Sequence, residues 1–154
     1  MQSSPVDDVD RELLDQLQRD AGRTLRELGD LVGLSPSAVQ RRITRYRADG
    51  VLAGQVAVLD AARLGVVLAV VLVTLELDSP AHHHAFAERV RGVGEVQQCY
   101  ALTGRWDYLV VLSTPDAERC REVGDELFRR DPNVKRYEVL PVFDAVKTGL
   151  AVSL

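Results

Sequence analysis

Leu31-Val-Gly-Leu-Ser-Pro-Ser-Ala-Val-Gln-Arg-Arg-Ile-Thr-Arg-Tyr-Arg-Ala-Asp-Gly50 holds a turn, a helix start, a helix and a helix stop in one run. Ser35 is suited to accept a backbone N–H at the helix start. Pro36 fits the first helical position, where no donor is needed and its fixed φ is already helical. Advancing 100° per residue puts Val39, Ile43 and Tyr46 on one apolar stripe, while Ser37, Gln40, Arg41, Thr44 and Arg45 point the other way. Arg can bond the two acceptors of a guanine edge, Gln can bond adenine, and Ser or Thr can reach a base or a phosphate. Arg42 and Arg47 fall at the flanks, where phosphates would run. The charge is sorted along the chain. Leu31 to Ala48 contains four arginines and no acidic residue, whereas Asp7 to Asp30 contains eight acidic residues against four arginines. This sorting separates the stretch from an ordinary solvated face and predicts a helix that enters the major groove of DNA.

Working towards the N-terminus, Thr24-Leu-Arg-Glu27 has the spacing of a capping box. Leu25, Leu28, Leu31 and Val32 form a buried stripe that stops at Gly33, where the chain turns. Val9, Leu13, Leu14 and Leu17 predict an earlier helix, ended by Ala21-Gly22. Three short helices, the last two joined by a glycine turn, make a helix-turn-helix domain, assigned to residues 1–52 with a winged-helix-like character. Asp49-Gly50 closes the third helix, and residues 53–65 are expected as a linker strand or hinge.

The 154 residues carry 19 basic and 23 acidic side chains, a formal charge of −4, and Lys135 and Lys147 are the only lysines. An acidic total does not suit a protein that coats nucleic acid indiscriminately. It suits one that presents a local basic helix while the remainder repels the backbone. The start of the chain, polar and acidic from Ser3 to Asp10, shows no signal peptide, and the apolar run from Leu64 to Thr74 is too short to cross a bilayer. A cytoplasmic protein is expected, with no membrane partner. Cys99 and Cys120 lack metal-ligand spacing and are assigned no chemistry.

The second half, residues 66–154, changes pattern. Val66 to Leu77 is almost wholly apolar or β-branched, as in a strand covered on both faces. A small sheet covers one face with its own helices, so the other face implies a partner subunit. Pro80 to Val90 predicts a helix with Ala85, Phe86 and Val90 inward. Glu95 to Thr103 predicts a second strand with Val96, Gln98, Tyr100 and Leu102 on one face, and Asp107 to Ser113 a third after the turn at Gly104-Arg105-Trp106. Thr114-Pro115 has the form of a helix start, followed by an inner stripe of Ala117, Cys120, Gly124, Leu127 and Phe128. Val134 to Val142 is a fourth strand, and Phe143 to Leu154 is a weak candidate for a fifth. The order βαββαβ is a ferredoxin-like split arrangement, so the fold class is α+β. His82-His83-His84 cannot converge on one metal, because neighbours on a helix project about 100° apart. They are read as a polar helix start, and neither metal nor cofactor is expected.

With both halves placed, the chain resembles the Lrp/AsnC ("feast/famine") family of transcriptional regulators over roughly Val6 to Lys147. The resemblance rests on Asp10-Arg-Glu-Leu-Leu-Asp-Gln-Leu-Gln, Arg23-Thr-Leu-Arg-Glu-Leu, Val32-Gly-Leu-Ser-Pro-Ser, Arg41-Arg-Ile and Asp49-Gly-Val-Leu in the first half. In the second it rests on Val93-Gly-Glu-Val-Gln-Gln-Cys-Tyr, Leu102-Thr-Gly-Arg-Trp-Asp-Tyr, Asn133-Val-Lys-Arg and Val146-Lys147. It implies a homodimer, often assembled into an octamer, whose second domain senses an amino acid or related metabolite between subunits. Thr103, Gly104, Arg105, Trp106 and Asp107 resemble the family's hairpin beside that effector pocket. Chemically, Gly104 lets a ligand approach the backbone and Asp107 can pair with an α-ammonium group. Arg105 departs from the family pattern, where an acidic or small residue is more usual. An ordinary hairpin would also use Gly for positive φ and Asp as a strand cap.

These readings make the chain a regulator rather than an enzyme. The expected partner is double-stranded DNA at pseudo-palindromic sites, read by Ser35, Ser37, Gln40, Arg41, Arg42, Thr44, Arg45 and Arg47. The alternative of similar build is a tetrapyrrole decarboxylase of sirohaem type, for which only the histidines speak.

Overall fold

The computed structural model of the protein describes residues 6–154, so the beginning of the polar N-terminal segment, including Ser3, lies outside the described residues. The chain forms two compact units. One runs up to Val58 and takes in Lys147–Leu154, and the other spans Leu59–Val146.

The first unit contains α1 (Asp8–Arg19), α2 (Leu25–Val32) and α3 (Pro36–Ala48). Each start is capped by its own sequence. Asp7 and Asp10 form a capping box on α1, Thr24 and Glu27 form one on α2, and Ser35 caps α3 ahead of Pro36. Leu13, Leu14, Leu17, Leu28, Val32, Val39, Ile43 and Tyr46 make the core. Leu31, expected in that core, is 49% exposed. Leu25, Leu28 and Val32 already define the inner line of the short helix α2, and Leu31 lies about a quarter-turn away from it. Gly33 ends α2 with φ +69°. Gly29 is buried where α2 meets the turn, and a Cβ there would stand 2.4 Å from the Leu34 carbonyl oxygen. No strand occurs among the described residues of this unit, so the three-helix core stands without a wing. Residues 53–65, expected as a linker strand, hold no strand either and end in a turn where Val66 N–H reaches Ala61 C=O at 2.9 Å. The tail forms no fifth strand. Instead, the Gln18 side chain exchanges two hydrogen bonds with the Val152 backbone, at 2.8 and 2.9 Å.

The second unit contains β1 (Val67–Leu75), α4 (Pro80–Arg91), β2 (Val96–Ala101), β3 (Tyr108–Thr114), α5 (Ala117–Gly124) and β4 (Val134–Pro141), with α5 continuing through a π-helical turn at Asp125–Arg129. The antiparallel sheet has the order β2-β3-β1-β4. Ala69, Val71, Val73 and Leu75 of β1, with Tyr108, Val110 and Leu112 of β3, pack against Phe86 and Val90 of α4 and against Cys120, Val123, Leu127 and Phe128. Alternation along the strands then turns Leu68, Val70, Leu72, Leu109 and Val111 to the opposite face, which no element of the unit covers.

Three expectations change. A bulge between Val96 and Gln98 turns Val96 to the helix-covered face instead of grouping it with Gln98 and Tyr100. Ala85 and Ala117 are exposed, and Val123 takes the inward place. Asp116, not Thr114, caps α5, because Thr114 is still paired with Val67 in the sheet. Among the described residues no helix is long and apolar enough to cross a membrane.

Candidate functional site

Ser35 Oγ accepts the Ala38 N–H and fixes where α3 begins. From that start, Ser37, Gln40, Arg41 and Thr44 all reach the exposed face. Gln40 and Thr44 hold one another: Gln40 Nε2 donates to Thr44 Oγ1 at 3.3 Å, and Thr44 Oγ1 donates to the Gln40 carbonyl at 2.9 Å. Arg41 has no hydrogen bond or ion pair among the described residues. Arg47 makes one neutral contact, to Gln55 at 3.0 Å. The positive end of the α3 dipole lies at Ser35 and Ser37, which adds to the attraction for a phosphate.

Arg42 and Arg45 do not behave as expected for a phosphate contact and a base reader. Arg42 Nη1 donates to both carboxylate oxygens of Asp7, at 3.1 and 3.0 Å, and to Asp10. Arg45 Nη2 donates to both oxygens of Asp10 at 2.6 Å. The Tyr46 hydroxyl also donates to Asp10, which is fully buried. A carboxylate so placed must be paired, because an uncompensated buried charge costs several kcal/mol. Burial pushes the Asp10 carboxyl up, but the Tyr46 hydroxyl, the Asp7 N–H and Arg42 outweigh it and hold the group at about 2. The Asp7 and Asp10 carboxylates raise the Arg42 guanidinium further above its usual range, and burial followed by the bond to Asp10 raises the Tyr46 hydroxyl. Asp10 therefore fixes α3 to α1. The signal was present in the sequence, since Asp10 occupies the same helical stripe as Leu13, Leu14 and Leu17, where a polar residue needs a buried partner.

In the second unit, Gly104 adopts φ +140° in the hairpin between β2 and β3. The Leu102 N–H donates to the Asp107 carbonyl at 2.8 Å and closes the hairpin, while the Asp107 N–H donates to the Val73 carbonyl at 2.9 Å. Asp107 Oδ2 accepts the Leu75 N–H at 2.7 Å. One oxygen of this carboxylate therefore caps the end of β1, and Oδ1 carries no hydrogen bond among the described residues. Thr103, Gly104 and Arg105 are exposed, and Trp106 is half-buried. The Arg136 guanidinium lies 4.1 Å from the Trp106 ring centroid and that of Arg105 lies 5.7 Å away. Arg136, on β4, was not singled out from sequence, and only the folded sheet brings it to the hairpin.

Two of the three histidines are occupied locally. His82 Nδ1 pairs with Ser79 Oγ at 2.7 Å, and His83 bridges Tyr108 OH at 2.6 Å and Asp78 at 2.8 Å. His84 is exposed. Among the described residues no group of three or more His, Cys, Asp or Glu could hold a metal ion.

Comparison with known proteins agrees with this geometry. Residues 6–47 match the AsnC-type helix-turn-helix domain, and residues 68–152 match the Lrp/AsnC ligand binding domain. The chain is 32% identical over 150 residues to an uncharacterized HTH-type transcriptional regulator, y4tD, of Sinorhizobium fredii, covering 97% of this chain and 89% of the relative. It is 32% identical over 143 residues to the leucine-responsive regulatory protein of Escherichia coli K12, covering 92% and 87%. Among solved structures it is similar to a Neisseria meningitidis transcriptional regulator in complex with L-Met, with a TM-score of 0.85 and 27% identity over 97% of each chain. An AsnC family regulator from Agrobacterium tumefaciens gives a TM-score of 0.85 and 26% identity over 96% of each.

Proposed function

Because the chain belongs to the Lrp/AsnC family of transcriptional regulators, we propose that it acts as a homodimer, or a higher assembly of dimers, on pseudo-palindromic double-stranded DNA. Each subunit sets one α3 into the major groove. Ser37, Gln40, Arg41 and Thr44 face the bases, while Ser35 and Arg47 meet the backbone. Arg42 and Arg45 position the helix through Asp10 instead of reading sequence. The observation that carries this reading is the exposed, unpaired Arg41 in the middle of a polar face, on a helix whose other arginines are engaged.

An amino acid or related metabolite at Thr103–Asp107 would act by binding one packing of dimers better than another, so changing the spacing of the two α3 helices. L-Met in the Neisseria regulator supports this class of effector. The uncovered sheet face bearing Val70, Leu72 and Val111 supports a second subunit. A decarboxylase reading finds little support, since two of the three histidines, His82 and His83, are engaged in local hydrogen bonds.

Footprinting of genomic fragments with the purified protein tests the proposal. Protection of paired half-sites about one duplex turn apart, roughly 34 Å, is expected, and its extent should change with an amino acid. Absence of protection on every fragment, with and without amino acids, would overturn it.

A further inference from the structure

Two guanidinium groups with no carboxylate partner gather around one indole in the second unit. Arg89, Arg91, Arg119 and Arg129 of that unit each pair with a carboxylate. Arg105 and Arg136 make no ion pair and no hydrogen bond among the described residues, and both lie close to Trp106. Glu138, two residues along β4 from Arg136, makes no ion pair with it. Lys135 is already held by Glu76 at 3.2 Å. Thr74, the cross-strand partner of Arg136, has a buried hydroxyl oxygen with no hydrogen-bond partner among the described residues. A guanidinium stacked on an aromatic ring keeps its N–H groups free and oriented, which is a prepared site for a planar anion.

Charge counting narrows the ligand. Arg105 and Arg136 offer two positive groups, and Asp107 offers one negative group with Oδ1 still open. A neutral amino acid, with one carboxylate and one ammonium, leaves one guanidinium unmatched. An amino acid with a second carboxylate matches all three groups, and each Arg–carboxylate contact can be bidentate.

We propose that the effector of this protein is an amino acid with an acidic side chain, held by Arg105 and Arg136 at Trp106. This rests on the reading of Thr103–Asp107 as the effector hairpin. Trp106 is the only tryptophan of the chain, so its fluorescence reports this site alone. The full-length protein is titrated with L-glutamate, L-aspartate, L-glutamine, L-asparagine, L-methionine and inorganic phosphate, with calorimetry in parallel. Glutamate or aspartate is expected to saturate at concentrations at least about tenfold below its amide counterpart, because the amide leaves one guanidinium without a charged, bidentate partner. Arg136→Gln and Arg105→Gln, both at exposed positions, should each reduce that preference below about threefold with unchanged thermal melting.

Equal binding of acid and amide, equal quenching by phosphate, or no binding of either acid overturns the proposal. If methionine or an amide alone binds and alters the footprint, the acidic preference falls while the effector reading stands. If glutamate binds at Trp106 without altering the footprint, the effector reading falls and the acidic preference stands.

Discussion

Asp10 controls the DNA-reading unit through a charge that is never exposed. Its carboxylate receives Arg42, Arg45 and Tyr46 from α3, and it caps α1 through the Asp7 N–H. Removing the charge leaves Arg45 without a carboxylate partner and Arg42 with Asp7 alone, so Asp10→Asn should destabilise the unit by about 1–3 kcal/mol, measured by denaturant melting. The pH dependence has a definite sign. The folded-state value, about 2, lies below the ordinary 3.8, so the stabilisation is present above pH 4 and fades as pH falls towards 2. The difference corresponds to about 2 kcal/mol, and the Asn variant should lack this acid limb in a melting series between pH 5 and 2. The same network separates the arginines of α3. Arg41→Ala should weaken specific DNA binding by about 1–3 kcal/mol, relax preference at one base position and leave the melting temperature unchanged. Arg45→Ala should lower both, because its loss leaves Asp10 underpaired. Arg41 was legible in sequence since exposure on a capped helix follows from periodicity. The roles of Arg42 and Arg45 were not, because their partners lie more than thirty residues away and only the packing of α1 against α3 brings them within reach.

Elements were legible where their signals were local. The Thr24–Glu27 capping box, the Ser35-Pro36 start and the Gly33 stop each depend on side chains within three or four residues, and each occurs as the sequence predicts. The start of α5 was misplaced because Thr114 and Asp116 are both competent caps. The choice was made by sheet register, which keeps Thr114 opposite Val67. The bulge in β2 was equally hidden, since an extra residue in a strand leaves its composition unchanged and only the partner strand reveals it. The turn between α2 and α3 depends on two glycines for different reasons. At Gly33 the positive φ disfavours any side chain, and Gly33→Ala should cost about 1–2 kcal/mol. At Gly29 the obstacle is the Leu34 carbonyl oxygen, a backbone atom that cannot swing aside as the end of a flexible side chain could. Gly29→Ala must shift α3 against α2, so it should cost about 1–3 kcal/mol. It should also weaken DNA binding under conditions where the variant is fully folded. Comparing affinity with melting for the two alanine variants separates strain in the turn from displacement of the reading helix.

Across the whole chain, the negative total and the sparse free arginines on α3 predict that one copy alone binds DNA weakly. In the proposed homodimer, affinity comes from two copies acting together, since linked half-sites multiply rather than add their binding. The uncovered face of the sheet is the surface suited to join them. It is apolar at its centre, where Val70 and Val111 are cross-strand neighbours, and Tyr100 and Leu140 on the edge strands are 51% and 41% exposed. A carboxylate in that centre is tolerated by a solvated monomer but not by an apolar contact, where it would have to be buried without a partner. Val111→Glu should therefore give a folded monomer in sedimentation, with cooperative melting retained. On DNA the variant should bind half-sites individually, with loss of protection over paired half-sites and a salt dependence of binding close to half that of the parent, because half as many phosphates are neutralised per particle. A Val111→Glu protein that remains dimeric and protects paired sites normally would locate the subunit contact elsewhere on the molecule.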